Sequence, residues 1–205
     1  MQIKDSNTEQ AILEAAEKEF LDKGYARTKT TEIAKRAGVN HAMLHYYFRT
    51  KENLFDMVFQ QKTQVLATSI SATFNNEMSF FDRLRTLTET HFDFLVDNPK
   101  ILFFIYSEVV NDEKRKAELV KIVSPKLELI IEKMTIAIDG ELKKGTIRPI
   151  TPFELLLNII SLNIMTFLAI PLLGVFDSEF PLEAKNMLKD RRESNVQFIT
   201  NALKI

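Results

Sequence analysis

YARTKTTEIAKRAGVNHAMLHYYFRTKENL, residues 25–54, decides how this chain folds. It holds two short helical patterns joined by a tight turn. The first is Thr31-Glu32-Ile33-Ala34-Lys35-Arg36-Ala37, and Gly38 ends it, because a residue without Cβ takes a left-handed C-cap at little cost. Val39 then plugs the angle between the helices. Asn40 is an N-cap for the second helix, His41-Ala42-Met43-Leu44-His45-Tyr46-Tyr47, since its side chain accepts from the first free amides. Thr50 caps a third helix that begins at Lys51. Two helices around a short Gly-containing turn make a helix-turn-helix, the unit that sets its second helix in the major groove of DNA.

The charge of this stretch points the same way. Between residues 23 and 51 the cations are Lys23, Arg27, Lys29, Lys35, Arg36, Arg49 and Lys51, and the one anion is Glu32, in a chain whose net charge is −1. A local basic patch is the expected footprint of a phosphate-binding surface. The competing reading is a solvated basic face, but the charge coincides with helix-turn-helix punctuation.

Upstream, Ser6-x-x-Glu9 has the form of a capping box opening the first helix. Ile12, Ala15, Ala16 and Phe20 fall on one helical face, and Gly24 stops the helix. That face packs under the helix-turn-helix and completes a three-helix head. Leu44 and Phe48 are assigned to its core.

The pattern Tyr25-x-x-Thr28-x-Thr30-x-x-Ile33-Ala34-x-x-Ala37-Gly38-Val39, followed by Leu44-x-x-Tyr47-Phe48-x-x-Lys51-Glu52-x-Leu54, resembles the N-terminal domain of the tetracycline-repressor (TetR) family of transcriptional regulators. The resemblance covers roughly residues 8 to 56 in detail. The rest matches only in length and all-helical pattern. It implies a homodimer binding a double-stranded DNA operator, with bases read from the N-terminal half of the second helix, here His41, Ala42, His45 and Tyr47. His41 and His45 lie four apart and share a face. Tyr46 and Tyr47 offer hydroxyls to phosphate. Thr30 and Thr31 stand at a helix N-terminus, where hydroxyls and free amides hold phosphate, and Lys51 adds a cation at the next one. The chain departs from the family in having Ala42 and Met43 before the Leu and His45 after it, where Gly-Thr and Tyr are common. The recognised sequence is correspondingly less predictable.

Composition bounds the remainder. The 205 residues, 45% hydrophobic and 27% charged, are those of an ordinary globular protein. Five Gly and six Pro leave few breaks and favour long helices. The absence of Cys removes disulfides, thiolate zinc sites and a Cys nucleophile. MQIKDSNTEQ has no apolar h-region, so a secretory signal is not expected and a cytoplasmic location is. LLLNIISLNIMTFLAIPLLGVF, residues 155–176, is long enough to span a bilayer. Asn158, Ser161, Asn163 and Thr166 interrupt it, and a helix apolar nearly all round is also what a subunit interface buries. No membrane partner is expected.

From Lys51 a long helix runs to about Thr73, with Leu54, Val58, Val65 and Leu66 on its apolar side, and Asn75-Asn76-Glu77 is a loop. Ser79-x-x-Asp82 caps the next helix, to about Val96; Asn98-Pro99 starts another, holding Ile101 to Tyr106. A polar helix over about 112–121 precedes one from Ser124-Pro125 to Gly140 or Gly145. Thr151-Pro152-Phe153-Glu154 opens the apolar helix, and about 182–203 is the last. The expected fold is all-α: a three-helix DNA-binding domain over residues 1–50, joined through the helix from Lys51 to a ligand-binding and dimerisation domain over 51–205.

The resemblance implies a ligand pocket in the middle helices and a dimer through the last two. Candidate pocket groups are His91, Phe103, Tyr106, Glu108, Asn158 and Asn163, for a small, largely apolar ligand. The function expected is a repressor released by that ligand. The alternatives are an activator or an inducer-free DNA-binding protein of the same fold. An enzyme is not expected: no Glu stands three residues before His41, His45 or His91, as a di-iron bundle needs, and there is no Gly-rich phosphate loop or Gly-x-Ser-x-Gly elbow. No cofactor is expected. His41 and His45 have the spacing of a metal pair, but the chain holds one other His and no Cys, so no metal site is assigned.

Overall fold

A computed structural model describes residues 2–74, 78–100, 102, 106, 113–176 and 184–205. Among the described residues the helices are α1 (Gln2–Arg27), α2 (Thr30–Arg36), α3 (His41–Phe48), α4 (Lys51–Thr73), α5 (Phe80–Asp97), α6 (Glu113–Lys144), α7 (Pro152–Phe176) and α8 (Ala184–Leu203). The fold is all-α. The chain forms two compact units, one of Met1–Val65 with Lys100–Ser124, the other of Leu66–Pro99 with Pro125–Ile205.

In the first unit the apolar face of α1 is buried as its spacing predicts: Ile12, Ala15, Ala16 and Phe20 are all inside. The start of α1 differs from expectation. It begins at Gln2, so Ser6 and Glu9 lie within it and open nothing. No Gly or Pro interrupts residues 2–23, so helix propagates past a local capping signal. Helical geometry breaks at Gly24, with φ 74 and ψ 166.

Gly38 takes φ 69 after α2. Its N–H donates to the Lys35 carbonyl at 3.2 Å and the Val39 N–H to the Ala34 carbonyl at 3.0 Å, the bond pair that closes a helix through a left-handed residue. Asn40 Oδ1 accepts from the Met43 N–H at 2.8 Å and caps α3. Thr50 Oγ1 accepts from the Asn53 N–H at 3.1 Å and caps α4. Leu44 and Phe48 sit in the core beside Ile33, Phe20 and Leu54. On α4, Phe55 and Val58 join that core, whereas Val65, expected on its apolar side, is exposed.

In the second unit Ser79 caps α5, accepting from the Asp82 N–H at 3.1 Å. Asn98 ends α5, with both its backbone and side-chain amides donating to the Phe94 carbonyl at 3.0 and 2.8 Å; the start of the helix expected after it lies outside the described residues. The loop expected at 75–77 and most of the helix expected at 101–106 lie outside the described residues.

The two helices expected around Ser124-Pro125 are one: α6 continues through Pro125. A proline inside a helix forfeits one hydrogen bond and kinks it, and here the flanking turns outweigh that loss. Gly145, φ 67, ends α6 with the same bond pair as Gly38, its N–H to the Leu142 carbonyl and the Thr146 N–H to the Glu141 carbonyl.

Thr151 and Glu154 form a reciprocal capping box at α7: the Glu154 N–H donates to Thr151 Oγ1 at 3.2 Å and the Thr151 N–H to Glu154 Oε2 at 3.0 Å. α7 packs against α5 and α8. Leu155, Ile159, Asn163 and Thr166 are buried; Phe153, Leu157 and Met165 are exposed. By length and composition residues 152–169 could cross a membrane. α5 and α8 are also clamped by charge. Arg85 forks onto Glu193 at 2.7 and 3.0 Å, and Arg192 onto Asp93 at 2.8 Å through both contacts.

Candidate nucleic-acid interface

The helix-turn-helix presents the side chains that the sequence nominates, with different freedoms. Thr31, His41, Ala42, His45 and Tyr46 are exposed, and Thr30, Tyr47 and Lys51 half-buried. Tyr46 is 80% exposed, which for a tyrosine on a helix two turns long leaves its ring available to a partner. Tyr47 packs against the core. Lys51 Nζ lies 4.3 Å from the centroid of the Tyr25 ring, a cation–π contact that orients the ammonium at the start of α4. Lys29, the N-cap of α2, supplies no side-chain cap bond, and its carbonyl accepts from the Glu32 N–H at 3.0 Å.

The histidines are held in place. His41 Nε2 is 2.9 Å from Thr30 Oγ1, which ties α3 to α2. His45 Nδ1 is 2.8 Å from the Arg49 carbonyl oxygen. Their rings meet edge-on at 4.4 Å. Among the described residues no group of three or more His, Asp or Glu gathers where a metal could be held.

The basic patch is smaller than the sequence count. Glu19, one turn outside the counted stretch and buried, bonds Lys23 at 2.6 Å and Arg36 at 2.7 Å. Lys23 also reaches Glu32 at 3.0 Å. Hydrogen bonds from Lys23, then from Arg36, hold the Glu19 carboxyl below its ordinary range against the opposing pull of burial. Arg27 Nε donates to the Lys23 carbonyl at 2.8 Å at the end of α1. Two of the seven cations, Lys23 and Arg36, are therefore ion-paired within the head. Lys29, Lys35 and Arg49 are exposed and, among the described residues, hold no ion pair.

Of the six candidate ligand-binding residues, the structure brings two together. His91 and Asn163 are both buried, with Asn163 Nδ2 donating to the Thr88 carbonyl at 2.9 Å and to His91 Nδ1 at 3.1 Å. Burial lowers the His91 pKa to about 4, so the ring is neutral near pH 7. Asn158 is exposed and does not join them, and Tyr106 is exposed and belongs to the first unit. Phe103 and Glu108 lie outside the described residues. Sequence reasoning missed Asn195, which donates to Asn163 Oδ1 at 2.9 Å and whose own Oδ1 is buried with no partner among the described residues. Its signal was an Asn four residues before Ile199 on the face that α8 buries.

Two spaces adjoin these helices in the second unit. An apolar cavity walled by Phe74, Leu84, Met134, Ile138 and Leu155, with Arg83 at its edge, has a volume of about 10 Å³. A groove of about 310 Å³ lies between Phe92, Asp93 and Val96 of α5 and Leu188, Lys189 and Arg192 of α8.

Residues 12–58 match the family of bacterial regulatory proteins, tetR family. The nucleoid occlusion factor SlmA of Haemophilus influenzae (strain PittGG) is 31% identical over 78 residues, 38% of this chain and 36% of that protein. The HTH-type transcriptional activator FasR of Mycolicibacterium smegmatis is 29% identical over 113 residues, 55% of this chain and 52% of that protein. The chain thus spans about half or less of the length of these relatives. Among solved structures, the transcriptional regulator FadR from Bacillus subtilis in complex with stearoyl-CoA superposes with a TM-score of 0.70 at 16% identity, covering 94% of this chain and 98% of that one. That likeness is one of fold, and it extends over both units.

Proposed function

From a chain that belongs to the tetR family of bacterial regulatory proteins and has its helix-turn-helix head, we propose a repressor that binds a pseudo-palindromic operator as a homodimer in the cytoplasm and is released by a small, largely apolar ligand. The observation that carries this reading is α3. Its buried face is fixed by Leu44 and Phe48, its start by the Asn40 cap, and its exposed face offers His41, His45 and Tyr46 between the cations of α2 and the α3–α4 turn. Thr30, Thr31, Tyr47 and Lys51 would hold phosphate and Ala42 would touch base edges. We take residues 1–50 as the DNA-binding part and 51–205 as the ligand-binding and dimerising part.

Size selects between the two spaces. Ligand pockets run to about 300–1,000 Å³, so the cavity of 10 Å³ has room for a water and the groove of 310 Å³ for a ligand. Phe92, Val96 and Leu188 would hold an apolar chain, and Lys189 an acidic head group. An acyl chain ending in an acid or thioester fits that description, and a relative of the same fold holds stearoyl-CoA. His91 and Asn163 would then act beneath the ligand, setting the packing of α5 against α7. A ligand can release DNA only through a difference in its affinity for the bound and free forms.

The test is binding of the purified protein to duplexes from either side of its own gene, across a salt series, with and without long-chain acyl thioesters. Tight, salt-sensitive, site-specific binding that the thioester weakens is the expected result. Binding that no ligand weakens would favour the inducer-free reading, which the smallness of the apolar cavity beside Phe74 and Leu155 supports. Binding that raises transcription would favour an activator, the role in FasR's name.

A further inference from the structure

The last turn of α3 is closed by a strained residue. Arg49 has φ 58 and ψ −51, and the Thr50 N–H donates to the Phe48 carbonyl at 2.6 Å around it. This is a γ-turn of the positive-φ kind, which side-chain-bearing residues rarely adopt. The Arg49 N–H still donates to the His45 carbonyl at 3.0 Å. In this turn the Arg49 carbonyl comes within 2.8 Å of Nδ1 of the His45 ring.

A carbonyl oxygen can only accept, so His45 Nδ1 must carry the proton. In the neutral ring Nε2 is then left with a lone pair and no hydrogen. The ring is exposed on α3. His41 differs, because its partner is the Thr30 hydroxyl, which either donates or accepts and leaves the tautomer open.

An acceptor-only nitrogen has a short list of partners on DNA. It is repelled by phosphate oxygens, by guanine O6 and N7, and by thymine O4. The donors in the major groove are the N4 amine of cytosine and the N6 amine of adenine. We propose that His45 is a specificity-determining residue that accepts a hydrogen bond from the exocyclic amine of a cytosine or an adenine, and that the Arg49 turn sets its tautomer for this. The inference rests on the DNA-binding reading above and deepens it: it assigns to His45 a base and an amine, and denies it a phosphate.

Two measurements test it, the first independent of DNA. A nitrogen-15 spectrum of the folded protein at pH 8 should show His45 Nδ1 protonated and Nε2 bare. The opposite tautomer would overturn the proposal while leaving DNA binding untouched. Secondly, a duplex selected from random sequence is remade with each adenine or cytosine of the half-site replaced in turn by its amine-free analogue, purine or 2-pyrimidinone. At one position per half-site, wild type should lose about fivefold in affinity, the worth of one hydrogen bond. His45→Phe should bind more weakly and be indifferent to that replacement, and His45→Gln, which restores an acceptor, should regain the sensitivity. Wild type indifferent at every position, or His45→Phe as sensitive as wild type, would refute the amine contact. If selection yields no preferred duplex at all, the DNA-binding reading fails and takes this one with it.

Discussion

Arg49 and Glu19 show how single residues are set by demands that conflict locally. A residue with a Cβ held in a sparsely populated backbone conformation costs about 1–3 kcal/mol, and Arg49 sits at φ 58 and ψ −51. Arg49→Gly should therefore stabilise the head by about 1 kcal/mol, the relief of strain less the greater freedom of the unfolded chain. It should also weaken DNA binding and make the salt slope shallower by about one unit, since the guanidinium is gone. Thermal unfolding and a salt titration read the two effects separately, and a lower melting temperature would show that the turn is not strained. Glu19 is the reverse case, a buried charge whose partners repay its desolvation. Glu19→Gln should destabilise the head by about 1–3 kcal/mol at pH 7. The folded carboxyl is held below its ordinary 4.5 by Lys23 and Arg36, so its contribution is complete above that pH and is lost as pH falls through the lowered value. Denaturant unfolding at pH 7 and pH 3 should show the gap between wild type and variant narrowing at the lower pH. A gap that widens would mean the carboxylate is not the paired species.

Elements are where the pH dependence of the second unit resides, and where the sequence is legible in part. His91 on α5 is neutral in the fold, its pKa lowered from 6.5 to about 4 by burial. The unfolded chain binds more protons between those values, so stability rises with pH from about 4 to 6.5 and is complete above it. His91→Phe should flatten that rise by up to about 3 kcal/mol, the free energy of a pKa difference of this size. The Asn163 amide keeps the Thr88 carbonyl as its partner in the variant, so an unchanged pH profile would remove His91 from the account. The helix ends could be read beforehand at Asn40, Thr50, Ser79, Thr151 and Gly38 because a cap is a bond between residues two to five apart. Ser6 and Pro125 carry signals of the same local kind, yet both lie inside helices. At each of them helix on both sides outweighs the signal. The ligand candidates were less legible for a geometric reason. Asn158 and Asn163 stand five residues apart, about 140° around α7. Which of them faces α5 depends on packing that no window of α7 contains, and the same holds for Glu19, whose partners lie four and seventeen residues away.

At the scale of the molecule the question is what covers α7 and α8. Phe153, Leu157 and Met165 recur at multiples of four along α7, and they are 60%, 50% and 57% exposed; Phe198 of α8 is 65% exposed. Large apolar side chains on two neighbouring helices form the kind of patch that a two-fold interface makes self-complementary. A second copy would also supply the second head that a pseudo-palindromic operator requires. A lone copy would have to find its site with one recognition helix. We therefore expect the pair Leu157→Arg and Phe198→Glu to sediment as a monomer where wild type sediments as a dimer. Each of these side chains is exposed in the single chain, so the helical circular dichroism of the variant should be unchanged. Operator affinity should fall about a hundredfold or more, because linking two heads makes the second contact intramolecular, and the variant should protect only half of the operator from cleavage. A wild-type monomer that floats with lipid vesicles would assign the face to a bilayer, as the length and apolar character of residues 152–169 allow. A wild-type dimer that survives both substitutions would move the interface off these two helices, while leaving the two-headed reading of the operator in place.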